Sequence, residues 1–126
     1  MKKIDYYVYI LCGVLLLLTA AQNAMADAAA GKAIYDEAAC GSCHGPAGAG
    51  DGPAAMALDP KPRSFSEGTF KYDTDGDGKS GTDADLLNII KNGSEKYGGA
   101  ATMPGRTDIP DSEIQALIAY IRTLKN

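Results

Sequence analysis

An all-α domain with long loops is what this sequence predicts, and three observations carry that expectation. No stretch of useful length alternates apolar and polar residues as a half-buried strand would. The segment after Asp111 has the strongest period in the chain, with Ile114, Leu117, Ile118, Ile121 and Leu124 falling on one helical face. Glycine and proline are concentrated in 45–52, 59–81 and 98–110, where neither regular element is stable. About four helices joined by such loops suit a fold organised around a large buried ligand.

The chain opens with Lys2 and Lys3, an almost unbroken apolar run from Val8 to Ala21, and the small-x-small triplet Ala24-Met25-Ala26. This pattern predicts an export signal over residues 1–26, cleaved after Ala26, and one small mature domain over 27–126. The run is short of the roughly 20 apolar residues that a span needs. A signal left uncleaved would instead anchor the chain to a membrane. Cys12 lies inside the run behind Tyr9-Ile10-Leu11, which lacks the small residues of a lipoprotein site. Subtracting Lys2, Lys3 and Asp5 from 12 basic and 16 acidic residues leaves 10 and 15, so the mature domain is acidic. That balance argues against nucleic acid or an anionic membrane and for a partner with a basic docking face.

Within the mature domain the elements follow in order. Asp27 to Ala39 is alanine-rich, with Ile34 and Tyr35 among polar residues, and reads as a first helix. Residues 53–58 form a short turn, with Pro53 at its first position and Met56 as core filling. Thr82-Asp83-Ala84-Asp85 is a capping box that opens a helix bearing Leu86, Leu87, Ile89 and Ile90 and closed by Gly93. Asp111 or Ser112 caps the last, most periodic helix.

The chemistry is concentrated in Cys40-Gly41-Ser42-Cys43-His44. C-x-x-C-H is the attachment pattern of a c-type haem: two thiols add to the vinyl groups and the histidine binds the iron. A zinc site would need further ligands, yet His44 is the sole histidine and Cys12 the sole other cysteine. A redox dithiol would call for a βαβ setting that the pattern lacks. For the sixth iron position, the mature chain offers two methionines. Met103 stands in a glycine-flanked loop before Pro104, which restricts it to extended geometry, and is the expected distal ligand; an open site is the alternative. A thioether favours ferrous iron and suits electron transfer.

With these residues in view, the chain resembles the class I c-type cytochromes over essentially all of 27–126. Gly31 and Tyr35 match the small and aromatic positions of that family's first helix, and Leu117 and Tyr120 match those of its last. The resemblance implies that these two helices cross closely and that Cys40, Cys43, His44 and Met103 hold one covalent haem c. The Gly48 to Ala55 stretch with Pro60-Lys61-Pro62 is similar to a bacterial periplasmic monohaem subgroup. It implies a periplasmic location, with Pro53 lining the proximal side and a nearby backbone carbonyl receiving the other His44 nitrogen. One departure is acidic. Asp73, Asp75, Asp77 and Gly78 match the front half of a calcium loop, whereas Ala84 stands where the bidentate acid is expected. A weak calcium site and a solvated turn both fit.

The expected function is transfer of single electrons between redox protein partners, not enzyme catalysis. The alternatives are the haem subunit of a dehydrogenase or oxidase, a haem enzyme or gas sensor with an open sixth site, and a binding module that uses haem only as structure.

Overall fold

The computed structural model describes residues 2–126, with the side chains of residues 2–6, 8, 15–24 and 26 outside the description. Those side chains include the basic and small residues of the expected signal, so Lys2, Lys3, Ala24 and Ala26 fall outside it. The backbone there belongs to α1, Lys2–Glu37, which runs through position 26 without a break. Then come α2, Gly41–His44, α3, Asp83–Asn92, and α4, Asp111–Thr123, with single 3₁₀ turns at Ala55–Ala57 and Glu95–Tyr97. Among the described residues there is no strand, only one isolated antiparallel bridge between Gly93 and Pro104. No helix among them is long and apolar enough to cross a membrane.

The domain is closed by α1 crossing α4. Gly31 makes the crossing possible, because a Cβ there would overlap the Ala116 carbonyl and Tyr120 Cβ. Tyr35 and Tyr120 then meet edge-on, with centroids 5.3 Å apart and planes at 67°. The periodic face of α4 is buried as its spacing predicts: Ile114, Leu117, Ile118 and Ile121 are all core residues, and Leu124 packs at their edge. Leu86 and Ile90 of α3 join the same core, along with Phe65 and Ile109 from loops. The α4 cap differs from expectation. Neither Asp111 nor Ser112 caps the helix; its first turn closes on the Pro110 carbonyl, which accepts from the Glu113 and Ile114 amides. Proline fixes its own φ and leaves an extended residue before the first turn, so no side-chain cap is used.

The capping box of α3 does more than start a helix. Thr82 Oγ1 accepts from the Asp85 amide, and Asp85 Oδ2 accepts from the Thr82 amide at 2.9 Å and the Thr82 hydroxyl at 2.8 Å. Its Oδ1 accepts from the amide and hydroxyl of Thr74, eleven residues upstream. Asp85 is only 1% exposed, yet four donors reach it, so burial costs it little. The Thr74 and Thr82 donors hold its carboxyl well below the usual carboxylate range, the Thr74 amide most of all. A depressed folded pKa makes this contribution complete above the unfolded value of about 4; it drains away as pH falls towards the folded value. Asp85→Asn is therefore expected to cost about 1–2 kcal/mol near neutrality. Its stability should also fall less steeply than wild type between about pH 4 and pH 2, measured by thermal unfolding across that range.

Candidate functional site

The backbone turns from α1 into α2 through a Schellman closure. The Cys40 amide donates to the Tyr35 carbonyl at 3.0 Å and the Ala39 amide to the Asp36 carbonyl at 3.1 Å. That closure needs a left-handed residue, a place usually held by glycine, and here Ala39 takes it with φ of 56°. The Ala39 carbonyl is held by the Ser42 hydroxyl at 2.6 Å. Cys40 thus leaves the helix end at a fixed angle, and α2 places Cys43 and His44 within its single turn. The loop that follows folds back over α2: the amides of Gly50, Gly52 and Ala54 cap the carbonyls of His44, Cys43 and Ser42. The buried Tyr35 hydroxyl donates to the Gly45 carbonyl at 2.6 Å and ties α1 to the residue after His44.

Cys40, Cys43, His44 and Met103 all line one cavity of about 840 Å³. The wall is largely apolar, with Phe65, Phe70, Ile89, Ile90 and Leu117 among its members. The cavity is shaped for a large apolar occupant. Both thiols stand half-buried and free at its wall. Burial pushes the Cys40 thiol up, and Arg106 beside it opposes that shift.

His44 Nδ1 is 2.9 Å from the Arg63 carbonyl, which can only accept, so Nδ1 carries the proton and Nε2 keeps its lone pair. Burial holds the imidazole below its ordinary pKa, with the Arg63 bond partly opposing, and a neutral ring is what metal binding requires. Among the wall's cations, Lys61, Arg63 and Lys71 have no carboxylate within ion-pair distance among the described residues. An occupant with an apolar plate, an acidic edge, two thiol-reactive groups and a metal seeking nitrogen fits the apolar lining, Lys61, Arg63 and Lys71, the two thiols and His44.

Met103 is half-buried and held by its backbone: its carbonyl accepts from the Ser94 amide at 3.1 Å, and the next residue bridges to Gly93. Three residues on, the Arg106 amide donates to the Ile90 carbonyl, and its guanidinium reaches the Ala38 carbonyl at 2.9 Å while pairing with Asp108. Arg106 thereby fastens the Met103 loop to the residues just before Cys40. No sequence pattern marked it, since its partner lies 68 positions away.

Three expectations are corrected. Met56 is not core filling; it is 88% exposed, because the 3₁₀ turn buries Ala55 instead. Pro53 does not line the proximal side. The folded-back loop leaves it exposed, and the carbonyl facing His44 comes from Arg63. The carboxylates of Asp73, Asp75 and Asp77 do not converge on one point. Those within 4.8 Å of one another belong to Asp73, Asp75 and Asp85, while Asp77 accepts from the Lys79 amide. Asp73 closes the turn onto the Gly76 and Gly78 amides and Asp75 accepts from the Asp77 amide, so these groups serve the loop's own backbone. Asp85 accepts from four donors as well, so all three grouped carboxylates carry hydrogen bonds within the turn and its flanks.

The family model described as Cytochrome c matches residues 28–125. Among solved structures, the chain is similar to one from the Kuenenia stuttgartiensis reducing HAO-like protein complex Kustc0457/Kustc0458, with 29% identity and a TM-score of 0.62. The match covers 76% of this chain and 41% of that one, so the chain spans about two-fifths of that protein's length. Comparison with curated proteins gives no match.

Ala39 is a strained residue at the haem motif's threshold, costing about 1–2 kcal/mol where glycine would not. Ala39→Gly gives back part of that to unfolded-chain entropy, leaving an expected net gain of about 0.5–1 kcal/mol in thermal unfolding of the holoprotein. A loss would show that the Ala39 methyl group makes packing contacts worth more than the strain.

Proposed function

The chain belongs to the cytochrome c family, and from that premise we propose that it carries single electrons between redox protein partners, using Met103 as the second iron ligand. The observation that carries this reading is that Met103, about sixty residues downstream of the Cys40, Cys43 and His44 motif, lines the same cavity as that motif. The haem supplies an iron that takes up and releases one electron. Cys40 and Cys43 tether it, and the Arg63 carbonyl keeps the His44 nitrogen available for the metal. Met103 contributes a soft thioether, which favours the ferrous state and closes the position against small ligands.

Two features favour a carrier over a haem enzyme. The polar side chains deepest in the wall are already committed, Tyr35 to the Gly45 carbonyl and Asp85 to Thr74 and Thr82. Arg106 and Ser94 both restrain the Met103 loop, whereas an open site would gain nothing from such fastening. The basic start, apolar run and small-x-small triplet support export to the periplasm, with residues 1–26 removed and Asp27–Glu37 left as the first helix. Likeness to a chain of a larger protein complex supports a second reading, in which the domain is a haem subunit that receives electrons from a bound partner.

Met103→Ala is expected to let the reduced protein bind carbon monoxide and to lower its reduction potential, while Met56→Ala changes neither. Haem should stay with all three proteins through acid–organic extraction. Unchanged carbon monoxide reactivity in Met103→Ala would remove it as the ligand.

Docking should depend on charge. Asp73, Asp75, Asp77 and Asp83 are exposed near the cavity wall at Tyr72, and the mature domain is acidic. Electron exchange with a partner bearing a basic face is expected to slow by about tenfold or more from low to high ionic strength. Stopped-flow rates that stayed flat would indicate apolar docking or a permanently bound subunit.

A further inference from the structure

The ring of Phe65 lies almost flat against the imidazole of His44, with centroids 4.4 Å apart and planes inclined by 20°. Two residues earlier, the Arg63 carbonyl takes the Nδ1 proton of the same imidazole. These contacts fix different things. A hydrogen bond to one nitrogen aims that nitrogen but tolerates misalignment of some tens of degrees before it weakens steeply, which leaves the ring a range of tilts. A flat neighbour narrows that range, because an aromatic face stacks favourably only when the two planes stay nearly parallel.

Phe65 is itself held firmly. Its amide donates to the Gly48 carbonyl at 2.6 Å. Gly48 is left-handed at φ of 68°, and a Cβ there would sit only 3.0 Å from the Phe65 ring. Phe70 stacks on Phe65 in turn, with centroids 6.1 Å apart and planes at 30°. Over Phe70 stands the Arg122 guanidinium at 5.1 Å, which pairs with Asp83 and so links α4 to the start of α3. A stack therefore runs from the imidazole through two phenylalanines to an ion-paired arginine anchored on helices.

We infer that Phe65 is the positioning residue that sets the plane of the proximal imidazole, and through that plane the electronic state of the haem iron. The inference rests on His44 being an iron ligand. An imidazole bound through Nε2 turns about that bond at little cost, and its plane decides which iron orbitals its π system overlaps. Turning it also bends the Nδ1–H bond away from the Arg63 carbonyl, which weakens the electron donation that this bond feeds into the ring. A leucine at 65 would occupy similar space without presenting a plane.

The test compares Phe65→Leu and Phe65→Tyr in the full chain matured with haem, read by paramagnetic proton shifts of the four haem methyl groups in the oxidised protein and by redox titration. Phe65→Leu is expected to change the order or spread of the methyl shifts and to raise the potential, as a less electron-rich imidazole favours ferrous iron. Phe65→Tyr, which keeps an aromatic plane at this position, is expected to keep the wild-type pattern. A Phe65→Leu protein that melts earlier but keeps the methyl pattern and potential overturns the inference, because Phe65 then acts only as packing. If Phe65→Leu yields no holoprotein, Phe70→Leu is read instead: a smaller change in the same sense supports the inference, and no change overturns it. Failure of the His44 reading would show separately, as wild-type oxidised protein without the strongly shifted methyl signals of low-spin, histidine-ligated iron.

Discussion

The hydrogen bond from His44 Nδ1 to the Arg63 carbonyl governs the shape of the domain. For that carbonyl to reach the imidazole, the chain must leave α2, turn back, and return beneath the ring 19 residues later. The intervening loop has to lie flat on α2, which is why Gly50 and Gly52 are packed where a Cβ would strike the carbonyls of Pro62, Ser42 and Gly41. The returning segment brings Phe65 into the core, and Phe65 joins the proximal side of the cavity to α4 through Phe70 and Arg122. One tautomer of one histidine is thereby written into the path of some twenty residues.

The other wall of the cavity is built by different means. Its loop carries no helix of useful length and, among the described residues, a single-turn 3₁₀ element, Glu95–Tyr97. Order there comes from backbone bonds to Ser94, Gly93 and Ile90 and from the Arg106 guanidinium. Two walls with separate supports can be perturbed separately. Damage to Arg106 or Ser94 acts on the Met103 side while the covalent side keeps its geometry.

What was legible in the sequence was local. The period of α4, the capping box of α3 and the C-x-x-C-H spacing each depend on residues within a few positions of one another, while the crossing at Gly31 was implied by the family resemblance. Met103 stood out as a candidate because the chain has no second histidine, and the fold places it on the cavity that the C-x-x-C-H motif lines. What stayed hidden joins distant positions through groups that carry no sequence signature. Any residue could have supplied the carbonyl that Arg63 supplies. Met56 was misread because burial in a single 3₁₀ turn depends on which side meets the rest of the fold. The acidic loop shows the same limit: its spacing brought Asp73, Asp75 and Asp77 forward, but the carboxylate that joins Asp73 and Asp75 in space is that of Asp85, which Thr74 and Thr82 hold.

The crossing of α1 with α4 has a consequence for timing. These helices are separated in sequence by everything that builds the cavity, and closing so long a loop is slow compared with forming a helix. During synthesis residues 38–110 emerge before α4 exists to cover Gly31 and Tyr35, so the core lacks one of its two long faces throughout that interval. The cysteines of the motif stay accessible in a chain that has not yet closed. The topology thus leaves a window in which a bulky, rigid cofactor can be joined to the polypeptide before the fold shuts around it.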